Sequence, residues 1–342
     1  MRAKQNTEMK NYQNKAFIIV GIFFLFLLFT NEVGSQQIEK PKGYPDRAID
    51  IVVPMGAGGG SDVTARVLAD IAGKMIKSPI TVSNRPGASG QVGLNYLMSR
   101  PADGYTLLAL FNDYVVHEAA DPVTYPFTKQ VDLVCRTNTA PATLQARYDD
   151  ARFKNFADFV AYAKKNPKQV KIVGSGIGSI QHLIISQLVK AAKIEVTYIP
   201  SDASGERKSF LLGKHVDLMC EFLGATKPLL DNKDTKMLFV LNPERIPQYP
   251  DTPTAKELGY SSLTMMWRGL AAKKGTPPEI IDYLDKVFYQ AMQTEEFAKY
   301  NKRDSCFNIY LNHEDFTKQI YKEVNEFKPI VAEIGLKEKI KK

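Results

Sequence analysis

Few folds accommodate the run Val-Val-Pro-Met-Gly-Ala-Gly-Gly-Gly-Ser-Asp found at residues 52–62. The apolar positions Ile49, Ile51, Val52 and Val53 read as a strand, Pro54 ends it, and the glycines make a turn. Ser61 then reads as the N-cap of a helix whose Val67, Leu68, Ile71 and Met75 recur at helical spacing. A strand, glycine loop and helix start leave backbone N–H groups unpaired at the positive end of a helix dipole, which suits a phosphate or a carboxylate. No Lys follows the glycines, so the phosphate-loop pattern fails, and the spacing does not make G-x-G-x-x-G. Taken alone, the run also fits a plain tight turn between strand and helix.

The rest of the chain repeats the device. Strand patterns at 80–82 and 105–111 flank a turn, Asn84-Arg85-Pro86-Gly87-Ala88-Ser89-Gly90, and a short helix stopped by Pro101. After Asp150 comes a helix at 156–165, a strand at 170–173 and a second loop, Gly174-Ser175-Gly176-Ile177-Gly178-Ser179. A helix through Leu183, Ile184, Leu188 and Val189 follows, then a strand at 196–199. Further strands are expected at 216–219, 237–240 and 267–271. Thr276-Pro277-Pro278-Glu279 reads as a capping box with Thr276 as N-cap, and helical patterns continue to the C-terminus. Alternating elements with short loops imply an α/β fold with mainly parallel strands, and 342 residues suffice for two domains. Two anion-binding loops, one per domain, would suit a cleft that closes on a ligand from both sides.

Charge and composition narrow the function. Residues 1–35 hold Arg2, Lys4, Lys10 and Lys15 against Glu8 and Glu32, leaving +6 of the formal +8 spread along the remainder. That excess fits weak attraction of anions and not a nucleic-acid stripe. A basic segment to Lys15, an apolar run at 16–29 and Val33-Gly34-Ser35 make a secretory signal peptide cleaved before Gln36. The three cysteines, Cys135, Cys220 and Cys306, are widely spaced without C-x-x-C and read as buried small hydrophobes; whether any pair stays open. No clustered metal-ligand set appears. Gly178-Ser179-Ile180 lacks the closing glycine of a nucleophile elbow, so neither a catalytic residue nor a cofactor is expected. His182 and the single Trp, Trp267, read as packing residues, the latter at a domain crossing.

Order and spacing then resemble a known family. Tyr44-Pro45, the 49–62 run, Asn84-Arg85-Pro86-Gly87-Ala88-Ser89-Gly90 and Asp103-Gly104-Tyr105-Thr106-Leu107-Leu108 look like the first domain of the Bug family. Its members are extracytoplasmic solute receptors of tripartite tricarboxylate transporters. The likeness continues through Ala161-Tyr162-Ala163-Lys164-Lys165-Asn166-Pro167, Ser175-Gly176-Ile177-Gly178-Ser179 and Gly213-Lys214-His215-Val216-Asp217. Pro250-Asp251-Thr252-Pro253, Trp267-Arg268-Gly269-Leu270 and Lys274-Gly275-Thr276-Pro277-Pro278 complete it.

The resemblance implies a type II periplasmic-binding-protein fold, two α/β domains around a ligand cleft. Domain one would comprise 41–137 and 266–342, and domain two 138–265. It implies a monomeric periplasmic receptor that binds a small organic carboxylate: a di- or tricarboxylate, an acidic amino acid or an aromatic acid. Cleft closure would precede delivery to one small and one large membrane subunit. The family grips carboxylates with amides, hydroxyls and waters, without relying on a buried Arg. By position, Met55, Gly56, Ala57 and Gly58 would meet one carboxylate, with Ser61 and Asp62 at the helix start. Asp62 would serve mainly to pin the loop. Ser175, Gly176, Gly178 and Ser179 would meet the other end, with Asn112, Ser201 and Glu221 lining the cleft and Glu221 closing the 216–219 strand. Ala57 replaces the family's usual Pro and Ser61 its Thr. Ser201-Asp202-Ala203-Ser204 stands where Tyr-Lys-Gly-Ser is common, so the substrate is not named. The alternatives are a ligand-sensing receptor for a signalling partner and an exported hydrolase with a Ser nucleophile.

Overall fold

The computed structural model describes residues 38–201, 203–261 and 263–337. The signal peptide with its Ser35–Gln36 cleavage site, and Asp202, lie outside the described residues. In chain order the elements are β1 (Ile49–Val53), α1 (Gly60–Ile76), β2 (Ile80–Asn84), α2 (Gln91–Met98), β3 (Thr106–Phe111), α3 (Asp113–Ala120), α4 (Phe127–Gln130), β4 (Val131–Thr139) and β5 (Ala142–Arg147). Then follow α5 (Phe156–Lys165), β6 (Lys171–Gly174), α6 (Ile180–Ala192), β7 (Thr197–Pro200), α7 (Ser204–Leu212), β8 (Leu218–Phe222), α8 (Leu223–Asp231) and β9 (Thr235–Leu241). The chain ends with β10 (Arg268–Lys273), α9 (Pro278–Met292), α10 (Glu295–Arg303), β11 (Phe307–Leu311) and α11 (His313–Glu333).

Two sheets result, with strand orders β11-β4-β10-β3-β1-β2 and β7-β6-β8-β5-β9, and both belong to one compact unit spanning Lys40–Lys342. Each sheet is parallel in one half only. β1 pairs parallel with β2 and β3, and β6 with β7 and β8. The other half is antiparallel: β10 against β3 and β4, β11 against β4, and β5 against β8 and β9. The expectation of mainly parallel strands is therefore corrected. The reason is topological: β4 runs through the two residues 140–141 into β5 of the other sheet, and β10 re-enters the first sheet between β3 and β4. β11 also interrupts what the sequence reads as continuous helix.

Burial explains the local choices. β1 lies between two parallel partners, so its apolar run needs no alternation. α1 buries Ala65, Leu68, Ala69, Ile71, Ala72 and Ile76 at helical spacing. α9 starts at Pro278 with Pro277 as its cap residue, so Thr276 is not the N-cap expected from the sequence. The Thr276 hydroxyl instead donates to Lys273 O at the end of β10, 2.8 Å away. All three cysteines are free and buried. Trp267 is buried, its ring edge-on to Phe316 at 5.0 Å and its indole N–H donating to Glu323.

His117 on α3 is the buried base of this core. Its ring lies 5.3 Å from Tyr125 and its Nδ1 has no hydrogen-bond partner among the described residues. Burial pushes the imidazole from 6.5 down to about 4. The unfolded chain therefore binds the proton first, so stability is held above pH 6.5 and is lost as pH falls toward 4. The loss from this group is about 3 kcal/mol. Glu323 and Asp285, whose carboxyls burial raises, oppose it by taking up protons more readily when folded. His117→Gln is expected to flatten the melting temperature against pH between 6.5 and 4; an unchanged acid slope would show that His117 does not set it.

Candidate functional site

The two glycine loops differ in what their backbone groups are already doing. Gly56 to Gly60 are exposed, Met55 and Ser61 half-buried, and Asp62 only 2 % exposed. Asp62 holds the loop. It accepts the Gly58 N–H at 2.9 Å, the Asn84 Nδ2 at 2.8 Å and the Arg66 Nε at 3.0 Å. Burial alone would raise its carboxyl, but bonds from Arg66, Gly58 and Asn84 hold it below the ordinary value. Asn84, at the end of β2, also donates to Met55 O at 3.1 Å and so fixes both ends of the turn. This is the loop-pinning role read from the sequence for Asp62.

Ser61 is not the N-cap. Gly59 occupies that position in an extended conformation, the helix begins at Gly60, and Val63 N–H donates to Gly59 O at 3.0 Å. No side chain caps this end. Among the described residues, the N–H groups of Gly60 and Ser61 meet no acceptor. A 17-residue helix thus opens on solvent with unpaired donors and the positive end of its dipole.

The second loop is largely satisfied from within. Ser175 donates from its N–H and its hydroxyl to Gln181 Oε1, at 2.6 and 2.9 Å. Its carbonyl accepts the Tyr198 hydroxyl at 2.6 Å. Ser179 N–H donates to Gly176 O, and Gly178 N–H points at His182 Nδ1 from 3.4 Å. Ser179 is the true N-cap of α6, its Oγ accepting the His182 N–H at 3.2 Å. His182 itself is buried with its ring 4.7 Å from Tyr198, a packing position. The Ile180 N–H is taken by Asp113 Oδ1 at 2.9 Å. Asp113 follows β3 at the same sheet edge as the first loop, so a carboxylate of the chain itself already occupies one donor of α6. No sequence pattern pointed to that bond.

Glu221 stands behind the second loop and not at its surface. It is 1 % exposed and lies inside β8, which runs to Phe222, so it does not close a 216–219 strand. Arg207 Nε and Nη2 donate to its Oε2 at 2.9 and 2.6 Å, and Ser204 Oγ donates at 2.9 Å. Its Oε1 accepts from Gln181 Nε2 at 3.0 Å and Phe222 N–H at 2.9 Å. With five donors its oxygens are spoken for, and a ligand-lining role is replaced by support of Gln181 and hence of Ser175. Arg207, whose Nη1 also donates to Ser201 O, is the partner missed in the sequence; an Arg in a charged helical segment reads as solvated. Ser201 is buried, its hydroxyl donating to Glu206 at 2.5 Å. Asn112 is likewise a clamp: its Nδ2 donates to Met265 O at 3.2 Å and its Oδ1 accepts Trp267 N–H at 2.8 Å. It ties the end of β3 to the segment entering β10.

A cavity of about 590 Å³ lies elsewhere, lined by Arg136, Gln187, Met265, Trp267, Gln319 and Glu323 among others. Its charged lining is mixed, Arg136 and Lys256 against Glu323 and Glu326, and no helix start among the described residues opens into it with free N–H groups, so size alone does not outweigh the donors of the first loop. No group of three or more His, Cys, Asp or Glu among the described residues is placed to hold a metal ion.

Residues 64–336 match the model of TctC, the tripartite tricarboxylate transporter family receptor. The chain belongs to that family. Among its relatives, a protein from the gbd 5′ region of Cupriavidus necator is 29 % identical over 86 % of this chain and 89 % of its own length. Protein BugT of Bordetella pertussis is 27 % identical over 93 % of this chain and 97 % of its own. The solved periplasmic binding protein BugD is 28 % identical and superposes with a TM-score of 0.74 over 86 % of this chain and 99 % of BugD. The chain is therefore a TctC-family periplasmic solute-binding receptor with the two-domain fold of these neighbours, and these proteins are receptors, not enzymes.

Proposed function

We propose that this receptor captures a small organic carboxylate at the first loop by cleft closure and delivers it to a tripartite tricarboxylate-type transporter. The observation that carries the reading is the uncapped, exposed start of α1, whose N–H groups at Gly60 and Ser61 meet no acceptor among the described residues while Asp62 fixes the loop that leads to them. Domain one, 41–137 with 266–342, holds this loop; domain two, 138–265, carries the Ser175 to Ser179 loop and closes on the ligand's far end. Closure excludes water and strengthens amide–carboxylate bonds, since charge-assisted hydrogen bonds gain from a lower local dielectric. The protein acts as an exported monomer, processed near Ser35–Gln36, and its closed form is what one small and one large membrane subunit recognise.

A thermal-shift screen against di- and tricarboxylates, acidic amino acids, aromatic acids and a phosphate ester tests this. Binding to the native state alone adds about 2.7 kcal/mol at a hundredfold excess over Kd. An upshift confined to one carboxylate class supports the reading; a response to phosphates alone contradicts it. Trp267 is the single Trp, so intrinsic fluorescence gives a second readout of closure at the crossing segment. Ser179→Ala removes a helix cap worth about 1 kcal/mol and a hydroxyl of the second loop. It is expected to weaken a long diacid more than a monoacid by calorimetry; equal losses would count against a two-ended grip.

A further inference from the structure

Behind the first loop stands a cation that the family resemblance did not lead us to expect. Arg268, the first residue of β10, is 6 % exposed and forms no ion pair among the described residues. Its Nε is buried without a hydrogen-bond partner among those residues. Its Nη1 has only long contacts, 3.5 Å to Asn138 Oδ1 and 3.6 Å to Cys306 Sγ. Its Nη2 abuts Gly60, where any Cβ would collide with it. The guanidinium therefore lies beside the first turn of α1, on the face that Thr64 turns toward β10. Ser61, Thr64, Thr137 and Arg268 share the lining of a small cavity of about 10 Å³ there, and the Thr137 hydroxyl is also buried without a partner. A buried charge is ordinarily paired, and this one is not.

We propose that Arg268 is the positive charge of the first-loop site, pairing through Nη2 with the anion that the α1 N–H groups receive. The inference rests on the reading that an anion binds this loop, and it makes the selectivity electrostatic. A fully ionised carboxylate is held by amides and a guanidinium together, whereas an amide analogue leaves the guanidinium unpaired. A Cβ at Gly60 would overlap Nη2, so any other residue there pushes the guanidinium aside.

The test uses the full chain labelled with 15N-arginine, the Nε–Hε resonance of Arg268 being assigned by its loss in Arg268→Lys. Titration with acetate is expected to move that resonance saturably, and titration with acetamide to leave it in place. Gly60→Ala, which presses on the guanidinium without a helix-propensity cost, is expected to lower acetate affinity tenfold or more at an unchanged circular-dichroism spectrum. This variant keeps the test valid should Arg268→Lys fail to fold. If an organic carboxylate stabilises the protein while the Arg268 resonance stays put and Gly60→Ala binds normally, the role of Arg268 is overturned and the receptor reading survives. If sulfate moves the resonance and no carboxylate does, Arg268 holds an anion and the carboxylate reading fails. A resonance that no anion moves overturns the proposal.

Discussion

Gly58→Val is expected to abolish measurable carboxylate binding while leaving the fold intact. Gly58 has φ +79°, a left-handed conformation that a β-branched residue resists. Space is not the obstacle, since nothing lies within 4 Å of where its Cβ would be. The strain would be relieved by turning the peptide, which withdraws the Gly58 N–H from Asp62 and lets the 56–60 loop swing off the helix start. Losing two charge-assisted amide bonds at about 1.5–3 kcal/mol each corresponds to roughly a hundredfold or more in affinity. The loop is exposed, so unfolding should shift little. Calorimetric titration of wild type and variant checks both parts, and an unchanged affinity would remove the loop from the mechanism.

The second large effect is on stability. Glu221→Ala leaves the Arg207 guanidinium buried without its carboxylate, and breaking such a pair costs about 3–5 kcal/mol. Replacing both members, Arg207→Met with Glu221→Leu, should recover part of that, because the unpaired charge disappears, while Gln181, Ser204 and the Phe222 N–H still lose their acceptor. Urea unfolding of the single and double variants decides the matter. A loss below about 1 kcal/mol for Glu221→Ala would mean that the pair behaves as a solvent-screened one. The same bonds carry the support of Gln181 and Ser175, so the single variant should also loosen the second loop.

The first loop was legible because its signals are local. Glycines after an apolar strand, and an acidic residue in the first helical turn, define the conformation without distant partners. The second loop was legible as a shape, whereas Ser179, read as a ligand contact, has its Oγ engaged as the helix cap. What its donors do was not legible: Asp113 and Ile180 are 67 residues apart, and Arg207 and Glu221 lie on different elements. Glu221 was placed at the cleft by the family resemblance alone, which carries no sign of its burial against Arg207. Ser61 lost the cap to Gly59 by two residues, the ordinary reach of end effects in helices. The parallel bias in the strand reading failed for a related reason. β4 and β5 join the two sheets with only 140–141 between them, and nothing in their sequence announces that β10 will return antiparallel beside β4. Arg268 was visible as part of Trp267-Arg268-Gly269-Leu270, but its contact with Gly60 spans most of the chain.

The central claim is that a carboxylate sits on the start of α1. It is tested most directly by backbone amide chemical shifts of the 15N-labelled protein during titration with the carboxylate that the thermal screen selects. The amides of Gly60, Ser61 and Asp62 are expected to move downfield together and to saturate with the same Kd as the thermal response. Amides that stay fixed there, with the saturating shifts falling instead around Arg136, Trp267 and Glu323, would place the ligand in the other cavity and contradict the account.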